Sequence, residues 1–559
     1  MHTHSEATRL LCAGVRLNAA FRQRVIDELV GHAERPVPPS LGVDVRPVLA
    51  HALRARRQEV HTALAMLAVW IGFFLVSAVM TWDALDDSYG GELDLSADEF
   101  LSMVLPLSDH GSSSLSELAT GWVLLYAGVV LALWAGRALS GRETLVHAAG
   151  SGPRSRVQSA VRRWSGRLVT YYARLFAVFY WISALTELPD NPYPVIFPLL
   201  LAGVVWVHRI RMTAVLREQL GRETFAETPQ PELPQGERYR RLGEAIAREQ
   251  HTGATLYDPN RPFVGAGIPH QPWSFALELQ RKKEQPGVPA QGEAALSSRQ
   301  VIDMIRPRLV ALRDATARTS RDRLRALEIE EFVYLPAGVR RDCGVYEQDS
   351  VLEHLAEAVD DGGESRRHFL RIRIGAWQEQ VVVSLLVRVH TQGGMLVLEV
   401  VPHVLGPIAE GFREADAITG RRADGPLREG VRALLTAPTV TVAAGVAGLR
   451  TLASVCRVWL APPEYAAPDA PLVSVRELAS TTELSLFQEM DVSRYIKTVQ
   501  DRIASGVRDA LEQRGYRTDR FEQQIVNVRD GGVFIKEVSG GAVATGKHGN
   551  AQHVERTMT

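Results

Sequence analysis

The sequence predicts an α-helical membrane domain of four spans joined to a cytosolic α/β domain with an antiparallel sheet. Three observations lead to this prediction: four apolar runs in the first third, charge asymmetry between the loops that join them, and strand-like runs near residues 367–405. The predicted parts are an N-terminal cytosolic helical segment (1–59), the spans (60–211), a juxtamembrane and Pro-rich linker (212–255), the cytosolic α/β domain (256–522) and a low-complexity tail (523–559).

The four apolar runs are 63–82, 118–136, 168–186 and 193–207. The first contains 20 residues without a charge, which at 1.5 Å per residue spans a hydrocarbon core of about 30 Å. The last run is shorter and contains two prolines, so a re-entrant segment is its alternative.

The loops predict the orientation. Residues 83–117 contain nine acidic side chains and no Lys or Arg, whereas 137–167 contain seven Arg and one acid. Because Lys and Arg are retained on the cytoplasmic side, the pattern predicts a multi-pass protein of the cytoplasmic (inner) membrane with both termini in the cytoplasm.

Six arginines are predicted to lie at the membrane interface, near the cytoplasmic ends of the spans. For the cluster before the first span, the sequence leaves open both contact with anionic headgroups and a topology signal; in the third run, the Arg174 side chain can extend to the interface. These residues are Arg54, Arg56, Arg57, Arg174, Arg209 and Arg211.

Composition excludes several classes of protein. The 63 Lys and Arg nearly balance 64 Asp and Glu, so the sequence does not predict nucleic acid as a partner. Three cysteines without CxxC spacing argue against a disulfide framework or a thiolate metal site. No carboxylate lies inside the four apolar runs, which argues against a substrate-coupled carrier or proton pump.

The segment 257–279 is predicted to be an ordered loop, because Phe263, Trp273 and Phe275 would fix it in place. Its Gly265 and Gly267 lack the strand–turn–helix context of a phosphate-binding fingerprint. His270 has no second ligand at metal spacing, so the sequence favours a structural role for this loop.

Four runs predict strands: 327–335, 368–377, 379–392 and 395–405, the last two joined by a Gly393-Gly394 hairpin. Alternation of Arg371 and Arg373 with apolar residues predicts one solvated and one packed face.

Two further segments have helical patterns. The apolar run 434–449 is too short and too close to arginines for a span, so it is predicted to be buried or membrane-grazing, with a fifth span as the alternative. Residues 491–515 form an amphipathic pattern that packs on the domain or on a partner.

The sequence predicts no catalytic, cofactor-binding or metal-ligating residue, and therefore no enzyme and no cofactor. Residues 541–547 match the front of a phosphate-binding loop, but His548 replaces the Ser or Thr that would hold magnesium. Neighbouring Arg340 and Arg341 would favour a lowered pKa of the Cys343 thiol, but a lone cysteine is usually structural, so no reactive thiol is predicted.

The tail combines short β-prone pieces with Gly, Ala, Ser and Asn. Residues 538–551 (VSGGAVATGKHGNA) resemble the short amyloid-type signalling motifs of the RHIM class at the ends of some bacterial cell-death proteins. That resemblance implies recruitment by β-stacking through Val538, Val543 and Ala544. The whole chain resembles uncharacterised multi-pass membrane proteins of actinobacteria, and this resemblance implies no activity.

From these observations we expect a non-enzymatic inner-membrane anchor or effector. Its cytosolic domain would dock a cytosolic protein assembly at the lipid bilayer, in a stress, defence or cell-death response. The alternative is a channel or transporter gated by the cytosolic domain, since apolar helices of a homo-oligomer can line a pore.

Overall fold

The computed structural model describes residues 4–88, 113–140, 156–282, 295–337, 344–363, 366–420, 426–460 and 470–523. The described helices are α1 (Glu6–Leu17), α2 (Ala19–Ile26), α3 (Val45–Ser88), α4 (Ser113–Ser140), α5 (Arg156–Thr186), α6 (Tyr193–Glu218), α7 (Glu237–Glu249), α8 (Ser298–Thr319), α9 (Gln348–Asp361), α10 (Glu414–Gly420), α11 (Pro426–Leu460), α12 (Val475–Leu478) and α13 (Leu486–Gln513). The described strands are β1 (Ala254–Tyr257), β2 (Ile268–Pro269), β3 (Trp273–Glu278), β4 (Glu328–Pro336), β5 (Arg367–Ala376), β6 (Val381–Gln392) and β7 (Met395–Leu405). A π-helical turn covers Asp27–Gly31, and 3₁₀ turns cover Arg323–Ala326 and Glu410–Arg413.

Helices α3 to α6 pack side by side around an aromatic core. Phe73 of α3 stacks on Phe197 of α6 with ring centroids 5.0 Å apart, and Tyr126 of α4 lies 5.2 Å from Tyr180 of α5. The Tyr180 hydroxyl donates to the Pro194 carbonyl oxygen at 2.7 Å. Many apolar side chains on the outside of this bundle are exposed, a distribution typical of helices that face lipid.

By length and composition, five described stretches could cross a membrane: Val45–Met80, Gly121–Leu139, Trp164–Thr186, Tyr193–Glu218 and Arg428–Ala453. The result is compatible with the predicted multi-pass membrane protein. It does not confirm the predicted count of four, because the fifth stretch meets the same criteria. The short run 193–207 belongs to the continuous helix α6.

The run 434–449 belongs to α11, whose contacts place it against α3, α4 and α6. Near the start of α11, Glu429 lies 3.9 Å from the Arg209 guanidinium of α6. Nineteen residues later, Gly448 packs against the Ala63 side chain of α3. Both ends of this stretch therefore contact the bundle.

The Glu429–Arg209 contact and the Gly448–Ala63 contact lie at the same level along the axis of the bundle. The Thr62 hydroxyl of α3 and the His208 ring of α6 are hydrogen-bonded at 3.0 Å, which aligns the neighbouring Ala63 and Arg209. Nineteen helical residues extend about 28 Å, several times the reach of an arginine side chain. Helix α11 therefore lies across this end of the bundle rather than along its axis.

A second hydrophobic core joins parts of the chain that are far apart in sequence. We name it the hub, and its buried members come from residues 7–53, 216–246, 408–415 and 475–479. The N-terminal helices, the end of α6, helix α7 and the short elements around β7 and α12 thus share one interior. Burial of so many apolar side chains is the main force that holds these parts together.

The sheet is mixed, with strand order β1-β4-β5-β6-β7-β2 and β3 also paired with β7. The predicted antiparallel pairing is therefore correct for most of the sheet and wrong at its edge, where β1 pairs with β4 in parallel. The predicted hairpin is confirmed, because Gln392 of β6 pairs with Met395 of β7 around the two glycines. One face of the sheet packs against α8 and α13 in the largest core.

The prediction of a solvated second face is wrong. Arg373 is only 2% exposed. On the same face, Val382 and Leu405 pack against Leu41 of the N-terminal segment, and Leu386 lies in the aromatic cluster that Phe263 contacts. Alternation of charged and apolar residues along a strand predicts a solvent-exposed face only when no other part of the chain covers that face. Here the N-terminal segment and the loop before β2 supply that cover.

The ordered loop predicted for 257–279 is confirmed, although it contains β2 and β3. Phe263 makes edge-on contacts with Tyr334, Phe369 and His403, with ring centroids 5.0–5.6 Å apart. Helix α13 begins earlier than predicted because Ser485 and Gln488 form a capping box at its N-terminus.

Candidate functional site at the domain junction

The candidate functional site is the turn 377–380 between β5 and β6, where the sheet meets the hub. Trp377, Gln378 and Glu379 have φ angles of 51°, 59° and 67°, in the left-handed region that non-glycine residues rarely adopt. Each such residue costs about 1–3 kcal/mol and persists only where its surroundings hold it. The contacts of the turn explain how it is held.

Glu379 forms an ion pair with Arg373, whose side chain also donates to Glu328 at 2.6 Å. The Glu379 carboxylate lies directly against Gly375 and Gly42 where it meets Arg373. A Cβ atom at Gly375 would lie 2.1 Å from the Glu379 oxygens, and one at Gly42 would lie 2.6 Å from them. Glycine is therefore required at both positions for this buried ion pair to form.

The rest of the turn connects to three elements. The Arg413 side chain donates to the Gln380 amide oxygen, and Arg476 of α12 donates to the Gln380 carbonyl oxygen at 2.6 Å. On the other side, the Trp377 indole N–H donates to Asp491 of α13 at 3.2 Å. One strained turn therefore joins the sheet, the hub and α13.

Arg476 of α12 is a buried charge behind this turn, and the neighbouring Glu477 is half-buried. Burial lowers the pKa of Arg476 to about 10, partly offset by Glu379 and Glu477. Burial also raises the pKa of Glu477, opposed by hydrogen bonds from the backbone N–H groups of Gly267 and Gly265 at 3.0 and 2.8 Å. The glycine loop thus uses these N–H groups to bind an internal carboxylate, in line with the structural role predicted for it.

A cleft of about 390 Å³ opens beside the turn, lined by His4, Ser5, Glu6, Arg222, Arg323, Gln378 and Glu379. Most of its charges are already paired. Glu6 pairs with Arg9 at 2.6 Å, Arg222 pairs with Asp416 at 2.9 Å, and Glu379 pairs with Arg373. The lining therefore offers little net attraction to an ionic ligand. Ser5 and His4 both line the cleft, but the Ser5 hydroxyl donates to the Gly42 carbonyl oxygen at 2.7 Å and the His4 ring bonds the Phe225 carbonyl oxygen at 3.3 Å.

Across the described ranges, no group of three or more His, Cys, Asp or Glu side chains could hold a metal ion. The Cys12 thiol is buried, and burial raises its pKa, so it is not an activated nucleophile.

The predicted membrane-interface arginines lie near one end of the bundle, which we name the Arg-rich end. Arg54 and Arg57 of α3, Arg174 of α5 and Arg211 of α6 are exposed, while Arg56 is half-buried. Arg209 donates to Thr436 of α11 at 3.2 Å. Of these six residues the structure shows Arg209 in contact with α11, and the contact of all six with lipid stays a prediction.

Several predicted features lie outside the described residues. They include Val538, Val543 and Ala544 of the tail, the phosphate-loop-like 541–547 and Cys343. The RHIM-class resemblance therefore stays a prediction.

Sequence reasoning missed an exposed apolar patch at the start of α13. Leu486, Phe487 and Met490 are 59–70% exposed, whereas later residues such as Val499 and Ile503 are fully buried against the sheet side. Apolar residues at helical spacing predict a packed face, and only the structure separates the covered part of that face from the open part. Such patches mark interaction sites more often than isolated exposed leucines do.

Residues 272–544 match the family model of the AbeC-like domain. The matched region runs from just before β3 through α13, so it includes α11 and the turn 377–380, and it leaves out α1 to α7, β1 and β2. The chain has no match among curated proteins and none among solved structures.

Proposed function

We propose that this protein is a non-enzymatic membrane anchor that holds its AbeC-like domain at the membrane as a docking platform for a cytosolic protein assembly. The observation that supports it best is the hub. Because one core contains residues from α1, α6, α7 and α12, the domain is attached to the spans by a packed interior rather than by a flexible linker.

The same core supports four crossings. Helices α1 and α2 share the hub with Leu242 of α7 and Ala415 of α10, so the chain before α3 and the chain after α6 lie on one side. An even number of crossings is then required, and α3 to α6 supply four. A crossing by α11 would separate α13 from α8 and β6, against which α13 packs.

The proposed orientation places the Arg-rich end and the hub in the cytoplasm. The seven arginines in the loop 137–167 and the nine acids in 83–117 support it, since cytoplasmic loops retain Lys and Arg. Both termini would then be cytoplasmic in an inner-membrane protein.

The patch of Leu486, Phe487 and Met490 is the proposed docking surface. The test is crosslinking and affinity recovery of the tagged full-length protein from native membranes, comparing wild type with Phe487→Glu. Leu352→Glu is the matched control, because Leu352 of α9 is also exposed, at 55%, but lies outside the patch.

We expect one cytosolic assembly to be recovered with wild type and with Leu352→Glu, and to be lost with Phe487→Glu at equal membrane insertion. Equal recovery with both variants would exclude the patch as the docking surface. Recovery of only the protein itself, as a defined oligomer, would contradict the anchor.

A channel or transporter gated by the cytosolic domain is the second candidate, favoured by a specific pair of contacts. Arg137 of α4 donates to Thr439 at 2.6 Å, and Arg209 of α6 donates to Thr436. Through α11 these bonds couple the AbeC-like region to two spans. Ion flux into liposomes that contain only this protein would support the channel, whereas an anchor predicts none.

A further inference from the structure

Helix α11 has an exposed stripe that is entirely apolar. Its large members are 56–73% exposed: Val431, Leu435, Leu449, Leu452 and Leu460. At 100° per residue, the spacings between them place all five within about one third of the helix circumference. Five exposed large apolar side chains on one side of a helix of 35 residues need an apolar partner.

The opposite side of α11 is occupied by the bundle. Ala433 and Ala437 are fully buried among the side chains of the spans, and Arg137 and Arg209 bond to Thr439 and Thr436 beside them. The exposed part of the stripe therefore points away from the spans. On the same arc Pro438 is buried and Val442 is half-buried, so the open parts are residues 431–435 and the second half of α11 from Leu449 onward.

The course of the chain argues against a crossing by α11. The ten Cα–Cα steps from Leu460 to Ala470 extend at most about 33–36 Å. If α11 crossed the bilayer, this segment would have to return through it almost fully stretched, with its backbone N–H and C=O groups left without partners in the lipid. Ala470 and Val475 are buried, and Val475 belongs to the hub. Both ends of α11 are therefore tied to the same side of the bundle.

The surroundings identify the partner as the bilayer. Gly448 packs on Ala63, and the next outward-facing residues of α3, Leu64 and Leu67, are more than half exposed on the bundle surface. The α11 stripe thus continues the apolar surface of the spans at the level where they begin. Exposed Arg211 and Arg174 lie at the same end, as is typical of the headgroup region.

We propose that α11 lies in the plane of the membrane–water interface, with this stripe against lipid acyl chains. The proposal rests on the four-crossing topology proposed above and adds a lipid-binding element within the AbeC-like match. It makes the bilayer surface a direct partner of that region, in addition to the spans.

Spin labels on α11 can test this arrangement. The native Cys456 lies on the exposed side of α11, and Cys12 is buried, so replacing Cys343 by Ser leaves one accessible labelling site. Two further variants, Leu435→Cys and Leu449→Cys, combined with Cys456→Ser, place labels along the stripe. The full-length protein is reconstituted in vesicles of phosphatidylcholine and phosphatidylglycerol, and depth is measured by collision with oxygen and with a water-soluble nickel complex.

An interfacial helix predicts similar shallow depths at 435, 449 and 456, about 5–10 Å below the headgroups. Leu75→Cys of α3 serves as the acyl-chain reference, because Leu75 is 55% exposed and lies about 18 Å along the helix from Ala63, and Leu352→Cys of α9 serves as the aqueous reference. Residues 435 and 456 are about 31 Å apart along the helix, so a steep change in depth would reveal a crossing. That result would overturn both the inference and the four-crossing topology. Aqueous values at all three sites would overturn the lipid contact alone.

Discussion

Arg9 of α1 forms a 2.8 Å ion pair with Asp416 of α10, so a residue near the start of the chain binds one inside the AbeC-like match. The Arg9 side chain is 1% exposed and also donates to Glu6 and to the Leu220 carbonyl oxygen after α6. Three parts of the chain therefore converge on one buried guanidinium, which explains why the N-terminal segment is integral to the hub.

We expect Asp416→Ala to destabilise the hub strongly. Removing one partner of a buried ion pair costs about 3–5 kcal/mol, and the bond that remains from Arg9 to Glu6 places the expected loss near the lower value. Arg222→Ala is the control, because Arg222 pairs with the same carboxylate but its side chain is 66% exposed, so the loss should stay below about 1 kcal/mol. Thermal unfolding of the detergent-solubilised protein would measure both, and equal shifts would contradict a special role for Arg9.

The local parts of the fold could be predicted from the sequence. The run 327–335 corresponds to β4 within one residue at each end, and Gly393-Gly394 marks the hairpin between β6 and β7. Period-two alternation and glycines with positive φ are properties of a few neighbouring residues, so they are readable without knowledge of the rest of the chain.

The candidate site depends on contacts that no local pattern contains. The parallel pairing of β1 with β4 joins a strand of four residues to a partner some 80 residues later. Burial of Arg373 depends on Glu328 and Glu379, and the strained turn 377–380 has no glycine at its left-handed positions. Only the three-dimensional arrangement shows that these residues meet.

We expect Gly267→Ala to prevent correct docking of the glycine loop. Gly267 has φ of +93°, and an added Cβ would lie 2.4 Å from the Val404 carbonyl oxygen and 2.7 Å from the Leu405 Cα atom. Backbone strain and overlap together should cost about 3–5 kcal/mol. Gly430→Ala in α11 is the control, since nothing lies within 4 Å of its added Cβ and helix propensity favours alanine by about 1 kcal/mol. We expect Gly267→Ala to lower the unfolding temperature and Gly430→Ala to raise it.

The half-buried Glu477 should make the free energy of unfolding fall as the pH rises. Burial raises the folded-state pKa of Glu477 above the ordinary 4.5. Between the unfolded and the folded pKa, the folded state therefore holds a proton that the unfolded state has lost. Raising the pH through this range removes that proton and lowers the free energy of unfolding. We expect Glu477→Gln to gain stability relative to wild type as the pH rises from about 4.5 towards neutrality. The amide oxygen can still accept from Gly265 and Gly267. A difference in unfolding temperature that does not change with pH would contradict this account.

Glu331 should show the opposite dependence. Its pKa lies well below the ordinary 4.5, first because His368 hydrogen-bonds to it at 3.0 Å and also because Arg299 donates at 2.9 Å. The stabilisation by the Glu331 carboxylate is fully present above about pH 4.5 and is lost as the pH falls through the folded-state pKa. Glu331→Gln should therefore cost about 2 kcal/mol near neutral pH, with a cost that shrinks in acid. A cost that grows in acid would show that the carboxylate is not the stabilising form.

Attachment of α11 to the bundle should depend on its threonine hydroxyls. Thr439 accepts from Arg137 of α4 at 2.6 Å, and the loss of a hydrogen bond from a charged donor costs about 1.5–3 kcal/mol. Thr439→Val keeps the shape of the side chain, so we expect faster amide hydrogen exchange across α11 while the sheet remains protected. Thr441→Val is the matched control, because the Thr441 hydroxyl donates to the Ala437 carbonyl oxygen of its own helix at 2.8 Å. If both variants exchange at the wild-type rate, apolar packing of Ala433 and Ala437 alone holds α11 in place. If both accelerate equally, the effect belongs to the helix and not to its bond with the spans.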